Sequence, residues 1–465
     1  MLYSNILLFF EGNMSDTICA ITTPLGTGGV SIIRLSGPNS KSVMQKIFVP
    51  FGNIKKIQPR YMYFGKVQFE DFCDDALCVY FEGPNSYTGE DVLEINLHGG
   101  YYLTNKVLSR LLNNFEVRLA SPGEFSKRAV MNGKMDISKA EGIIDMINAG
   151  SLAEVRASSN QIVGKLTQNV QSIQSMLTDL ICEVDVAIDY PDQDIEYISN
   201  EDIKTKISQI LQKINSLLDT TSTGMQIKSG VNVALVGVPN VGKSSLLNAL
   251  LGFDRAIVTN IAGTTRDTLN ETYEFNGIKF NLIDTAGLHD TNDEIEKIGI
   301  SRTLSAVSDA DVVLHLIDCS QPLKEQFDTK INNKNIIIVV NKQDLLNKDI
   351  QNQLNEYTKN YNINIDMQIS AKNKQNIDKL KQLIFDKTIN TEMLSKDVLI
   401  TNVRHKQLLV LAKNELNEAF SKTNTTLDCI ALLLKDAWQN LGQITGDYTD
   451  DTILDRLFSK FCLGK

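Results

Sequence analysis

One segment, Gly237-Val-Pro-Asn-Val-Gly242-Lys243-Ser244, constrains this chain more than any other. The apolar run VNVALV leads into it, and SSLLNALLG, apolar at helical spacing, leads out. A strand, a GxxxxGKS loop and a helix together turn backbone N–H groups inward at a helix N-terminus, where the dipole favours anions. Lys243 is then placed to meet the β and γ phosphates of a nucleotide, and the Ser244 hydroxyl to ligate Mg²⁺.

The residues that follow extend this reading. Tyr273 to Ile283 reads as a hairpin, because Asn276-Gly277 suits a type I′ turn. Its second strand ends at Asp284-Thr285-Ala286-Gly287. A carboxylate at a strand tip can hold Mg²⁺ through water, and Gly287 can give its N–H to a γ phosphate and move when that phosphate leaves. Two further strands, VVLHLID and NIIIVV, precede Asn341-Lys342-Gln343-Asp344. The Asp344 carboxylate can accept from N1–H and the 2-amino group of guanine, and adenine offers neither donor. A carboxylate left unpaired there discriminates strongly. Ser370-Ala371-Lys372, after IDMQI, presents a backbone N–H for guanine O6. Thr264-Thr265 lie in the loop IVTNIAGTTRDT, and Thr265 is the natural second hydroxyl ligand for Mg²⁺. Together these motifs predict GTP rather than ATP.

Many small GTPases position the attacking water with a Gln directly after the DTAG-type motif. Leu288 stands there in this chain and can neither donate nor accept. Phosphoryl transfer still needs a positioned water and positive charge. Glu294 and Glu296 are both available in the segment that follows. Asn240, a neutral oxygen donor in the phosphate loop, is suited to a monovalent cation.

The strand–helix alternation from 231 to about 388 predicts an α/β doubly wound sheet. Before it, about 14 to 130 alternates strand patterns such as VSIIRLSG and DVLEINLHGG with short helices, as in an α+β domain. Val155, Ile162, Leu166, Val170, Ile173, Leu177, Leu180 and Val184 recur every three or four residues, predicting one long amphipathic helix. A second helix runs through Ile203, Ile207, Leu211, Ile214 and Leu218, and the helical period returns from about 398 to 461. Helical segments on both sides of an α/β unit predict a helical domain into which that unit is inserted.

A net charge of −10 argues against a broad phosphate-binding surface, since counterion release needs many clustered Lys and Arg. The seven scattered cysteines form no CxxC pair and read as reduced thiols of a cytoplasmic protein. No apolar run approaches the roughly 18 to 20 residues that span a bilayer. Residues 1–13 lack the features of a signal peptide, and Met14 is the expected start.

GVPNVGKSSLLNALL, AIVTNIAGTTRDT and LIDTAGLHDTNDEIEKIGI resemble the tRNA modification GTPase MnmE (TrmE) family, as do NSYTGEDVLEINLHGG, SPGEFSKRA and the terminal FSKFCLGK. The resemblance runs from Thr17 to Lys465. It implies an N-terminal folate-binding and dimerisation domain (14–130), a helical domain in two segments (131–225 and 391–465, the latter with the FCLGK tail), and an inserted Ras-like G domain (226–390). It further implies a homodimer that works with the FAD-containing MnmG, two subunits plus two, on tRNA. That complex adds an aminomethyl or carboxymethylaminomethyl group to C5 of the wobble uridine, with a tetrahydrofolate derivative (5-formyl or 5,10-methylene) as one-carbon donor.

By the same resemblance, the catalytic glutamate falls on Glu296 and K⁺ contacts fall on Asn240, Thr259, Ile261 and Thr264. Mg²⁺ contacts fall on Ser244 and Thr265. The nucleotide-binding set becomes Asn240, Val241, Gly242, Lys243, Ser244 and Ser245; Thr259, Asn260, Ile261, Ala262, Gly263, Thr264 and Thr265; Asp284, Thr285, Ala286 and Gly287; Asn341, Lys342, Gln343 and Asp344; and Ser370, Ala371 and Lys372. Folate contacts fall on Arg34, Glu94, Lys134 and Lys465, and Cys462 is a candidate catalytic thiol. Asn260 departs from the family, where an acidic residue is frequent. The alternative reading is a regulatory or ribosome-assembly GTPase whose other domains only bind partners.

Overall fold

The computed structural model describes residues 16–24, 26–52, 54, 56–190, 198–252, 271–284, 307–323, 326, 335–361, 364–423, 426–447, 451–459, 461 and 464. They divide into two compact units, one holding the chain up to Ile144 and again from Thr445, the other running from Asp145 to Ile444.

In the first unit, strands β1 (Thr17–Ile21), β2 (Val30–Ser36), β3 (Phe48–Pro50), β4 (Met62–Gln68), β5 (Cys73–Phe81), β6 (Val92–His98) and β7 (Val117–Leu119) form one sheet in the order β3-β4-β5-β6-β2-β1-β7. Alternation gives the sheet two unlike faces. Ile33, Leu35, Leu93, Ile95 and Cys78 point to the side covered by α1 (Ser40–Ile47) and α2 (Tyr101–Asn114), where Val43, Met44, Val107 and Leu111 complete the core. α3 (Glu124–Met131) covers β1 from the other side through Phe125. The helix Asp451–Phe458 belongs to this unit as well: Leu454, Phe458 and Phe461 pack with Ile137 and Ala140 of α4 (Ile137–Asn148).

The long helix expected through Val155 and Val184 is two helices. α5 (Leu152–Val163) stops at Gly164, whose φ of 90° is left-handed, and α6 (Lys165–Asp189) starts there. Val155 is exposed, and the buried stripe begins only at Leu166. α6 and α7 (Asn200–Leu218) share one core with the helices Val403–Ser421 and Leu427–Thr445, through Leu177, Val184, Ile207, Ile214, Leu409, Leu416, Leu434 and Leu441. Two segments far apart in sequence thus make one helical bundle, each fully buried Leu or Ile contributing about 1.5–3 kcal/mol.

After α8 (Thr221–Ser229), the second sheet has strands β8 (Val231–Val236), β9 (Glu271–Phe275), β10 (Ile278–Asp284), β11 (Val312–Asp318), β12 (Ile336–Asn341) and β13 (Met367–Gln368), in the order β13-β12-β11-β8-β10-β9. All neighbours are parallel except the β9–β10 hairpin. β11 is buried along its whole length, as expected of a strand covered on both faces. α9 (Lys243–Leu251) follows β8 and packs Leu246 and Leu250 into the core with Leu380 and Ile384 of α11, the helix Ile377–Thr388; α10 is Lys348–Tyr361. No helix among the described residues is long and apolar enough to cross a membrane.

Candidate nucleotide-binding site

The parallel strands bring their C-terminal ends together, and there the loop after β8 turns. Asn240 takes φ 63° and Gly242 takes φ 101°, both left-handed, which makes the backbone fold over itself before α9 begins. A Cβ on Gly242 would stand 2.4 Å from Asn341 Nδ2, so only glycine fits. Lys243 is buried, and its Nζ donates to the carbonyls of Gly237 at 2.7 Å and Val238 at 3.2 Å. The ammonium is thereby held across the mouth of the loop. Asn240, Ser244 and Ser245 are exposed at the N-terminal end of α9, open to a phosphate or a cation, and Val241 is buried beneath them. These are the features a triphosphate cradle requires.

Asn341 joins this loop to the two segments expected to read the base. Its Nδ2 donates to the Val241 carbonyl at 2.8 Å, and its Oδ1 accepts from the Ala371 N–H at 3.0 Å. Three stretches separated by about a hundred and by thirty positions meet on one buried side chain. Asp344 is exposed, and its Oδ1 accepts from the Ser370 hydroxyl at 2.5 Å. That bond, with smaller help from Lys372 and Lys342, holds its carboxyl below the ordinary value, so it is ionised and acceptor-only at neutral pH. Gln343 joins the two segments through its N–H to Ile369 O at 2.9 Å and through its Oε1, which accepts from Asn376 at 3.1 Å. Lys372 is exposed beside them.

Sequence reasoning passed over Asp318, Gln326 and Asn376. Asp318 is 1% exposed, at the end of the apolar strand β11, and its Oδ2 accepts from Lys342 at 2.6 Å. Burial draws its carboxyl up, and the bonds from Lys342 and Ser320 outweigh that, leaving it below the ordinary value. The signal was present: LHLID ends in the same Ile-Asp step as NLID at Asp284.

β10 ends at Asp284, paired with Leu235 beside the phosphate loop. The Asp284 side chain lies outside the described residues. So do Thr259, Asn260, Ile261, Ala262, Gly263, Thr264, Thr265, Thr285, Ala286, Gly287, Glu294, Glu296, Cys462 and Lys465.

In the first unit, Arg34 and Glu94 face each other across β2 and β6, with Nε to Oε1 at 2.8 Å. The Arg34 guanidinium also lies 5.4 Å from the centroid of the Tyr87 ring and 5.7 Å from that of Phe125. Lys134 donates to the Pro84 carbonyl at 2.8 Å. The two motifs read as family signatures meet at Arg128, which is buried and bonds Glu90, Glu124 and the exposed Asp16. Among the described tail residues, Gly464 sits where a Cβ would come within 2.4 Å of the Ile21 carbonyl, so it packs against the end of β1.

A mostly parallel sheet, a glycine-shaped loop after its first strand and two further strand-end segments tied to it by one asparagine define a Ras-like P-loop GTPase domain, inserted in the chain between helical segments that follow an α+β domain. The comparisons give the family. A model described as "GTP-binding protein TrmE N-terminus" matches residues 17–134, and one described as "MnmE helical domain" matches 137–462. The tRNA modification GTPase MnmE of Clostridioides difficile is 37% identical over 464 residues, covering 97% of this chain and 100% of its own. That of Lactobacillus johnsonii is 39% identical over 459 residues (97% and 98%), and that of Caldicellulosiruptor saccharolyticus 41% over 457 (97% and 99%). Among solved structures, Aquifex aeolicus Era bound to GDP.AlF4⁻ is 29% identical, over 40% of this chain and 66% of its own, at a TM-score of 0.29. The chain belongs to the tRNA modification GTPase MnmE family, and it is a GTPase.

Proposed function

We propose that this GTPase serves tRNA wobble-uridine modification as a K⁺-stimulated homodimer working with MnmG, with a tetrahydrofolate derivative as one-carbon donor. The observation that carries the reading is a conjunction in one chain of this family: a guanine site tied together by Asn341, and an Arg34–Glu94 pair flanked by Tyr87 and Phe125 on the α3 side of the first sheet.

In this reading Lys243 and the N–H groups at the start of α9 hold the β and γ phosphates, and Ser244 with Thr265 holds Mg²⁺. Asn240 holds K⁺ with oxygens from Thr259, Ile261 and Thr264, and Glu296 orients the attacking water. The exposure of Asn240 and Ser244 supports these roles. Mg²⁺ and K⁺ held there would supply positive charge where negative charge builds up during phosphoryl transfer. Asp344 selects guanine, and the Ser370-Ala371-Lys372 segment, fixed by the Ala371 N–H donating to Asn341, leaves O6 to another of its backbone N–H groups.

The folate role of Arg34, Glu94, Lys134 and Lys465 is supported by chemistry. A carboxylate accepts from a pterin's N–H donors, while basic groups and the flanking Tyr87 and Phe125 rings suit a flat anionic ligand. Homodimerisation is supported by the apolar row beside that pair. Val49, Phe51, Met62, Phe64 and Leu77 are all more than a third exposed on β3, β4, β5 and the turn after β3. Met62 pairs with Val79, which pairs with Glu94, so the row and the pair share one face.

The test is complementation of a strain lacking this protein, with mass analysis of wobble uridines. Wild type restores the modified nucleoside, while Asp344→Asn and Glu94→Ala do not. Restoration by Glu94→Ala removes the folate assignment. Hydrolysis measured in K⁺ and in Na⁺ tests the cation: equal rates remove K⁺ from the mechanism. Loss of GTP affinity, rather than of kcat, in Glu296→Ala would move that residue to a structural role.

A further inference from the structure

The base-recognition loop is braced by residues that none of its motifs contains. Asp318 lies beside Asn341 in the parallel register of β11 and β12. Both its carboxylate oxygens are engaged: Oδ2 by Lys342 Nζ at 2.6 Å, Oδ1 by the N–H and hydroxyl of Ser320 at 2.9 and 2.6 Å. Its backbone is engaged too. The Asp318 N–H donates to Gln326 Oε1 at 2.7 Å, and its carbonyl accepts from Gln326 Nε2 at 3.0 Å. Gln326 is itself 2% exposed, so the brace is anchored in the interior.

What this brace holds is an unfavourable turn. Lys342 takes φ 64°, a left-handed conformation that side chains with a Cβ resist. Its ammonium is fixed by Asp318 and its carbonyl accepts from the Cys319 thiol at 3.2 Å, so the last residue of β11 and the one after it clamp it at both ends. The turn aims Gln343 and Asp344 across the strand ends toward Ser370. The Leu345 N–H closes the turn on the Lys342 carbonyl at 2.8 Å, and the Asp318 charge fixes its ammonium; losing that charge loosens the turn, and Asp344 moves with it.

We propose that Asp318 is a positioning residue for guanine-nucleotide recognition. It pins Lys342, Gln326 pins it in turn, and the loop is preorganised before nucleotide arrives. Affinity, rather than turnover, therefore depends on it. The proposal rests on the reading of Asp344 as the guanine acceptor.

The experiment is calorimetry with GDP on the full chain, together with steady-state GTP hydrolysis. Asp318→Asn keeps the volume and the Ser320 bonds but removes the charge. Its Kd for GDP and KM for GTP rise by about tenfold or more, and kcat stays within about twofold of wild type. Lys342→Met added to Asp318→Asn costs little beyond the worse single change, because the two act as one unit. Wild-type Kd in Asp318→Asn overturns the proposal, as does a fall in melting temperature and kcat with GDP affinity kept. Should Asp318→Asn fail to fold, Gln326→Met, which frees the Asp318 backbone and leaves the charge, weakens GDP several-fold; wild-type affinity there also overturns it. Asp344→Asn, titrated alongside with GDP and xanthosine diphosphate, separates the two claims. If it binds GDP like wild type, the base-site reading fails. If it turns to xanthine while Asp318→Asn binds normally, only the brace fails.

Discussion

Arg128 is buried with its charge, and three carboxylates from separate stretches, Asp16, Glu90 and Glu124, answer it. Removing one partner of such a set leaves uncompensated charge in the interior. Arg128→Met is expected to cost about 3–5 kcal/mol, read from urea denaturation followed by circular dichroism. The same cluster sets a pH dependence. For Glu124, burial draws the carboxyl up from its ordinary 4.5, and bonds from Arg118, the Ser121 N–H and Arg128 outweigh this and leave it lower. Asp16 is likewise lowered from 3.8 by Arg118 and Arg128 against burial. A depressed folded-state value means the stabilisation is complete above the unfolded value and disappears as pH falls through the folded one. The urea midpoint should therefore drop below pH 4.5 in the wild type and drop less steeply in Glu124→Gln. An identical slope in both would remove Glu124 from the account.

At the scale of elements, two turns carry consequences. Asn276 and Gly277 both take positive φ, 50° and 79°, the type I′ geometry expected of Asn-Gly, and the Gly277 carbonyl accepts from the Ala153 N–H at the start of α5. Gly277→Val is expected to lose about 1–2 kcal/mol of stability by thermal or chemical unfolding, since a β-branched residue resists that φ. Gly242 is the stricter case, because the Asn341 amide stands where a Cβ would go. Gly242→Ala should weaken GDP binding by about tenfold or more in a fluorescent-nucleotide titration, as the joint between phosphate loop and base loop is forced open. Unchanged affinity would mean that Asn341 can give way without cost. Gly164 shows the limit of periodicity: a three-to-four spacing carried straight through it, yet its left-handed φ splits the helix.

At the scale of the whole molecule, the uncovered row on the first sheet bears on assembly. Phe64 is 54% exposed and stacks edge-on with Phe51 at 5.0 Å, an apolar surface larger than scattered side chains produce. Phe64→Glu is expected to turn the proposed homodimer into a monomer in sedimentation velocity, with GTP affinity unchanged because the site lies on another sheet. A dimer that survives Phe64→Glu at micromolar concentration would place the interface elsewhere.

The GTPase motifs were legible from residue order because each is local. A strand, a glycine turn and a helix start within a dozen positions of one another, and the roles proposed for Lys243, Ser244 and Asp344 rest on residue type. The hairpin at Asn276-Gly277 and strands of the first sheet such as VSIIRLS and VLEINLH were legible for the same reason, as nearest-neighbour backbone preference. What tertiary structure alone decided is where buried groups find partners. Asn341 reaching Val241 and Ala371, Asp318 pinning Lys342, Arg128 gathering Glu90 and Asp16, and the last helix packing beside Ile137 all join positions remote in sequence. The physical reason is that a polar or apolar side chain advertises a need for burial or for a partner, but the partner is chosen by which elements the fold brings within a few ångströms.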